Sequence, residues 1–427
     1  MPLLVKEGLL SDLQGRGIND YYARKEGAGR NVALMIFAII GSLLIGSGII
    51  LLIAHNWEFM SRPVRSVLAF MPLLIAQAIG YYAITRKRDS AAWTESVPLS
   101  ISLSVCAAIA IIGQTYHIYG SMARFMLTWM VLTLPLIYLF RSTSAFVLFI
   151  AGMTGWLISA RDEHLATWFF WPLIATAVPY YYEKVRTSRY ATSTSLAGWA
   201  LCIGLIVITA VEHGYNHSDF WLLSYCYLFA VMFMAGLHSF DDAPSAGRNP
   251  YLTIGAGGLA IFGLLCTFND FIREFFRGDL YYGAKLCVIG PQHELVVLFI
   301  IYIMLGVLLA KCATPVRIAF AGMPLVLSMG VIMGGDAVDN WLTLVMNLYY
   351  LATGVIVIMS GIKELSVARV NGGMVMVIAL IVCRFFDYDM SFMLRGIAFI
   401  LIGIAFIVTN VVMSKKARKG RINEISN

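Results

Sequence analysis

The stretch Gly113-Gln114-Thr115-Tyr116-His117-Ile118-Tyr119-Gly120 closes an apolar run with side chains that lipid does not accommodate. Two other places have the same character. His55-Asn56-Trp57-Glu58 ends the first apolar run, with Arg62 and Arg65 opening the next. Arg384 and Asp387 end the run before the last, with Asp389 and Arg395 close behind. A histidine, a glutamine, a tyrosine and arginines suit an anion such as a phosphate or a carboxylate, because the guanidinium fork matches those groups. The candidate substrate-binding set is therefore His55, Asn56, Trp57, Gln114, Tyr116, His117, Arg384, Asp387 and Arg395. The plainer alternative is structural. Arg384 and Asp387 stand three apart on one helix face and can pair with each other, and the nearby Trp and Tyr can form an interfacial belt.

Metal and enzyme chemistry have weaker support. His213 and His217 stand at i and i+4 with Glu212 and Asp219 on either side, a spacing zinc accepts. Gly214 and Asn216 argue against a helix there, and no HExxH is present. There is no Walker loop, no GxSxG elbow and no paired-cysteine centre, so no enzyme class and no cofactor is indicated. The seven cysteines are scattered through apolar runs without a CxxC pair.

The elements that must position these residues follow from composition. Of 427 residues, 59% are hydrophobic and 13% charged, against about a quarter charged in a soluble domain. The deficit extends over the whole length and excludes a sizeable soluble domain. The net charge of +7 does not point to nucleic acid, because the basic residues sit at the ends of apolar runs. A span needs about 20 apolar residues, and on that criterion the chain holds about fourteen, from 31–54 to 391–412. The expected fold is an all-α polytopic bundle. A short segment at 1–30 precedes a transmembrane domain at 31–412, and a basic tail follows at 413–427. No cleavable signal peptide is expected, since the first apolar run follows a charged segment.

Charge sets the orientation. With both termini cytoplasmic, most of the 31 lysines and arginines fall on the inner side, as the positive-inside rule requires. All histidines except His238 then face outward, which makes the outer end the chemically richer one. Within the long outer segment 269–294, Phe271, Ile272, Phe275 and Phe276 alternate with Arg273, Glu274 and Arg277. This spacing predicts an amphipathic interfacial helix. Pro72, Pro135, Pro172, Pro179 and Pro324 are candidate kinks within spans. Gln77 and Asn347 are expected to form interhelical hydrogen bonds.

At these residues the chain resembles a family of bacterial predicted membrane proteins, domain of unknown function 2157. The resemblance is carried by Glu7-Gly8-Leu9-Leu10, by Gly46 through Trp57, and most by Ile112-Gly113-Gln114-Thr115-Tyr116-His117 followed by Trp129 and Leu134-Pro135. Arg384-Phe385-Phe386-Asp387 with Leu394-Arg395-Gly396 is similar to the end of longer members. Many members carry an acidic residue after the glycine where this chain has Gly120-Ser121. The resemblance implies the bacterial inner membrane and implies no activity.

The favoured expectation is a transporter- or flippase-like protein that handles an amphipathic or anionic substrate at the outer leaflet, an envelope lipid or a lipid-linked sugar. Membrane lipid is then one partner. Two other classes stay open. A non-transporting subunit for assembly or sensing would co-purify with a membrane-protein partner. An intramembrane enzyme would need His117 within reach of Asp387 or Glu58 as an acid–base pair.

Overall fold

A computed structural model describes residues 57–216, 221–240, 245–277, 292–310, 314–333 and 338–385, with scattered positions at 44 and between 393 and 404. The expected first and last spans, the 1–30 segment and the 413–427 tail lie outside the described residues. No strand occurs among the described residues. A short 3-10 turn, Trp57–Phe59, precedes α1 (Arg62–Arg86), α2 (Ala91–Tyr116), α3 (Met122–Phe140), α4 (Thr143–Asp162), α5 (Phe170–Ser188), α6 (Thr192–Asn216), α7 (Trp221–Phe240) and α8 (Pro250–Leu265). Then come α9 (Asn269–Arg277), α10 (Gln292–Leu309), α11 (Pro315–Ala321), α12 (Met323–Met333), α13 (Val338–Lys363) and α14 (Val367–Phe385).

Eight of these helices are long and apolar enough to cross a membrane: α1, α2, α3, α4, α6, α7, α13 and α14. Shorter apolar helices occupy 250–265, 296–307 and 315–330. The chain divides into two compact units. One holds 1–72 and 110–118, and the other holds 73–109 and 119–427.

The helices begin where the sequence offers a side-chain acceptor for a free backbone N–H. Ser121 accepts from Arg124 N, Ser142 from Ala145 N, Asn249 from Leu252 N and Thr314 from Arg317 N. Each is an N-cap residue followed three positions later by the donor it serves. Pro250 and Pro315 follow their caps in the first turn, where the missing N–H costs nothing. Several helices end on a non-glycine residue in the left-handed region: His117 (φ 54), Arg141 (φ 51), His164 (φ 53) and Leu365 (φ 54). At each, the next residue's N–H reaches back five positions to a carbonyl, as in Ser142 N to Ile137 O at 3.2 Å and Leu165 N to Ala160 O at 2.8 Å. This is the Schellman closure.

The candidate kinks resolve differently from one another. α1, α3 and α5 run continuously through Pro72, Pro135 and Pro179. Pro172 falls in the first turn of α5, where proline is tolerated. The real interruption is at Gly322, between α11 and α12, two residues before Pro324. Proline at 324 has no N–H to give, and the turn leaves neighbouring carbonyls without helical donors. Side chains replace them: Tyr302 Oη donates to Ala321 O at 2.8 Å and Tyr349 Oη donates to Ala319 O.

Helix pairs in the larger unit approach closely where glycine removes the Cβ. A Cβ at Gly255 of α8 would stand 2.4 Å from Phe233 N and 2.7 Å from Phe229 O of α7. Gly236 of α7 meets Leu252 N in the same way, at 2.5 Å. α13 and α14 repeat the arrangement, with Gly373 against Gly354 O at 2.8 Å and Gly361 against Val370 N at 2.7 Å. Lipid tails are as apolar as leucine, so close backbone approach and dispersion drive such pairing. Two hydrophobic cores result. One is built on α3, α4 and their neighbours around Phe146, Phe149 and Met153; the other lies on α7 and α8 around Leu222, Met232 and Leu259.

The amphipathic segment 269–277 is a helix, α9, as its spacing predicts. Two of its apolar residues face protein: Ile272 is 1% exposed, and Phe271 meets Trp221 edge-on at 6.1 Å. These two, which the sequence suggested for lipid, pack on protein instead.

Replacing Gly255 with valine forces backbone apart and should destabilise the protein by about 1–3 kcal/mol. Gly257, which has nothing within 4 Å of its Cβ position, supplies the control. Thermal unfolding in detergent checks the pair: Gly255→Val should fall well below wild type, and Gly257→Val should stay close to it.

Candidate functional site

The smaller unit carries the stretch from Gly113 through Ile118. His117 sits in the left-handed conformation, Ile118 N donates to Gly113 O at 2.9 Å, and α2 stops there. Thr115 is buried, while Gln114, Tyr116 and His117 are exposed. On the facing helix, Ser66 Oγ donates to Arg62 O at 3.0 Å and shares a 3.0 Å hydrogen bond with Tyr116 Oη. The Arg65 guanidinium lies over the Trp57 ring, 5.3 Å from its centroid. A cation on an indole face is attracted by the ring quadrupole. Two of the three places singled out by sequence thus share one unit, joined through Ser66 and Tyr116. His55 and Asn56 lie outside the described residues. Chemically, the set offers an imidazole, an amide, a phenol and a guanidinium, all neutral or cationic and suited to an anion.

The third place lies in the larger unit. Arg384, near the end of α14, donates from a terminal guanidinium nitrogen to Thr267 O at 2.9 Å and to Thr267 Oγ1 at 3.3 Å. Its guanidinium stands 4.7 Å from the Phe268 ring centroid. Asn347 Nδ2 of α13 donates to the same Thr267 carbonyl at 2.9 Å and to Thr343 O at 2.8 Å. Arg384 and Asn347 therefore close the C-terminal end of α8, where free carbonyls and the helix dipole favour a cation. Asn347 makes the interhelical bond its sequence position suggested, whereas Gln77 is exposed on α1. Asp387 and Arg395 lie outside the described residues.

His213 is buried on α6, which continues as helix through Gly214 to Asn216. The glycine and asparagine do not break it. His217 lies outside the described residues. Among the described residues no group of three His, Cys, Asp or Glu side chains could hold a metal ion.

The larger unit also contains polar hubs that motif reading passes over. Glu95 of α2 receives Thr143 N at 3.1 Å, Ser144 N at 2.7 Å and the Ser142 hydroxyl at 3.0 Å, which caps the start of α4. Glu163, just beyond α4, accepts from Ala123 N at 3.1 Å and caps the start of α3. Arg161 donates to Glu212 of α6 in a pair whose side chains are 26% and 14% exposed. The hydrogen bond from Ser121, with backbone N–H groups of Ala123 and Met122 and the charge of Arg124, holds the Glu163 carboxyl below its ordinary value against the opposing effect of desolvation. None of these carboxylates lies in a motif; each serves residues about half a hundred positions away. The only sequence signal was a charge at the edge of an apolar run.

The fold and these helix ends define a polytopic α-helical membrane protein. Residues 2–146 match the family described as Predicted membrane protein (DUF2157), the same family that Ile112 through His117 resembles. No curated protein and no solved structure matches the chain.

Because the Glu163 carboxyl lies below its ordinary value, its contribution is present above the unfolded-state value and is lost as pH falls through the folded value. Glu163→Gln should lower the thermal midpoint at neutral pH, and the gap from wild type should close on acidification through the carboxylate range. Unfolding curves of both proteins across that range check the sign; a gap that stays constant would remove Glu163 from the cap.

Proposed function

We propose that the chain is a multi-pass protein of the bacterial inner membrane, with about fourteen spans and both termini cytoplasmic. It handles an amphipathic or anionic substrate at the outer leaflet in a transporter- or flippase-like way. The substrate class is an envelope lipid or a lipid-linked sugar. The observation that carries this reading is the joining of Tyr116 to Ser66 beside the Arg65–Trp57 pair, with Gln114 and His117 left exposed. These groups suit an anionic headgroup, and the neighbouring aromatic rings suit the less polar part of such a molecule.

The span number is supported by eight long helices and three shorter apolar ones in the described part, together with the two apolar runs at 31–54 and 391–412. The orientation is supported by where the cations lie. Glu95, Arg141, Lys184 and Arg248 connect loops at one end of the helices, where Arg86, Lys87, Arg88, Arg186 and Arg189 also lie. A second reading, a non-transporting subunit, is favoured by Arg384, whose guanidinium is engaged in closing α8.

The test is a cryo-EM map of the protein in native-lipid nanodiscs, together with His117→Asn and Tyr116→Phe. Asparagine tolerates the left-handed backbone at 117, so this change removes the imidazole and spares the helix end. A lipid- or sugar-phosphate-shaped density beside Gln114 and His117, weakened in both variants, is the expected result. A tightly packed site without density, with both variants normal in level and phenotype, would turn the reading to the partner-binding subunit.

A further inference from the structure

Three loops of the larger unit converge at one end of its helices: 86–90, 141–144 and 183–191. Glu95 draws the second loop onto the start of α2 through Thr143 N and Ser144 N. The third is held by Lys184, which donates to Thr143 Oγ1 and to Tyr180 Oη, and by Tyr180 Oη, which donates to Arg141 O at 3.1 Å. Arg86, Lys87, Arg88, Arg141, Arg186 and Arg189 are all exposed on these loops and helix ends. Against them stand two exposed carboxylates, Asp89 and Glu183, and Glu183 already pairs with Arg141 at 3.5 Å. The Glu95 carboxylate sits at the start of α4, where its charge is set against the Lys184 ammonium, so the exposed cations keep their excess.

The apolar context fixes the kind of anion. Tyr182 and Arg186 lie one turn apart, with the guanidinium 5.7 Å from the ring centroid. Tyr82, Tyr138 and Tyr182 are exposed around the same end, at the level where aromatic rings meet headgroups. Below them, Leu132 of α3 and Val178 of α5 are 50% and 56% exposed. A free phosphate uses only the cations. A phospholipid uses the cations for its phosphodiester and the exposed apolar side chains for its acyl chains.

We propose that this end of the bundle is a binding surface for anionic phospholipid. The headgroup phosphates contact Arg88, Arg141, Arg186 and Arg189, and the acyl chains lie along the exposed faces of α3 and α5. The surface needs only that these helices be embedded in a bilayer, and does not depend on the substrate reading above. A basic cluster beside membrane helices attracts anionic headgroups with an energy that accumulates charge by charge.

The test uses the full chain purified in detergent. Its thermal midpoint is measured after addition of phosphatidylglycerol, phosphatidylcholine or inorganic phosphate, and the lipid retained is counted by native mass spectrometry. Phosphatidylglycerol should raise the midpoint and be retained, while phosphatidylcholine and phosphate should do neither. Retention should fall about fivefold for each cation removed, first in Arg186→Gln alone and then in Arg88→Gln/Arg186→Gln/Arg189→Gln. Equal stabilisation by phosphatidylcholine would overturn the proposal. So would a full shift with phosphate alone, which would make this a free-anion site. Undiminished retention in Arg186→Gln would overturn the assignment of the headgroup to these residues, even if the triple variant fails to fold.

Discussion

A helix that ends or breaks near a membrane leaves backbone N–H and C=O groups with little water to bond to, and each group left without a partner costs several kcal/mol in hydrocarbon. The larger unit answers that constraint by using side chains from neighbouring helices. Carboxylates go to N-terminal ends: Glu95 to α4 and Glu163 to α3. A cation and an amide go to a C-terminal end, Arg384 and Asn347 to α8. Neutral hydroxyls go to the break, Tyr302 and Tyr349 to the carbonyls before Gly322. The signs agree with the helix dipole, which favours anions where N–H groups are free and cations where carbonyls are free. Each of these bonds also ties two helices together, so completing the backbone and assembling the bundle are one process.

The close glycine contacts depend on the same arrangement. Gly236 and Gly255 bring α7 and α8 together, and Asn249 holds the turn between them by donating to Gly236 O and Phe240 O, each at 3.1 Å. Gly255 alone would let the helices approach in several registers. With Asn249 bonded at one end and Arg384 and Asn347 at the other, α8 has one axial position. The tyrosines serve a similar purpose within the cores. Tyr225 Oη reaches Ile206 O at 3.1 Å, and Tyr251 Oη donates to Tyr181 Oη at 3.0 Å, so large apolar rings carry their polar tips to specific partners.

Apolar length and charge at the ends of runs made the membrane helices legible in sequence, because both are local properties. α9 was legible as a helix from the spacing of Phe271 and Ile272, yet what those residues face is tertiary and was not. The break at Gly322 was hidden among five prolines that looked alike. The α1, α3 and α5 helices continue through theirs, and only Pro324 stands two residues after a glycine, with tyrosines placed to take up the freed carbonyls. Glu95 and Glu163 were invisible as caps because the groups they serve belong to other helices. Arg384 was legible as a cation that needs company, and its local neighbour Asp387 was the natural candidate. Asp387 lies outside the described residues; among those described, Arg384 reaches a carbonyl 117 positions away, which local spacing does not reveal.

The Gly-Gln-x-Tyr-His stretch shows how one motif can have two roles. Its backbone role is to stop α2, with His117 in a conformation that costs an ordinary L-residue about 1–2 kcal/mol and glycine almost nothing. Stopping the helix therefore does not require histidine. At Arg141, which closes α3 with the same backbone conformation, a return is visible: the guanidinium faces the Glu183 carboxylate and adds to the basic end. At His117 the imidazole is exposed one residue beyond Tyr116, whose hydroxyl already links the two helices to Ser66. A side chain held in that way, at the end of a helix fixed by a neighbouring bond, suits the ligand-binding role proposed for it. The substrate proposal rests on this residue, more than on Arg384, because helix closure accounts for the backbone of His117 and leaves its imidazole without a structural task in the geometry described.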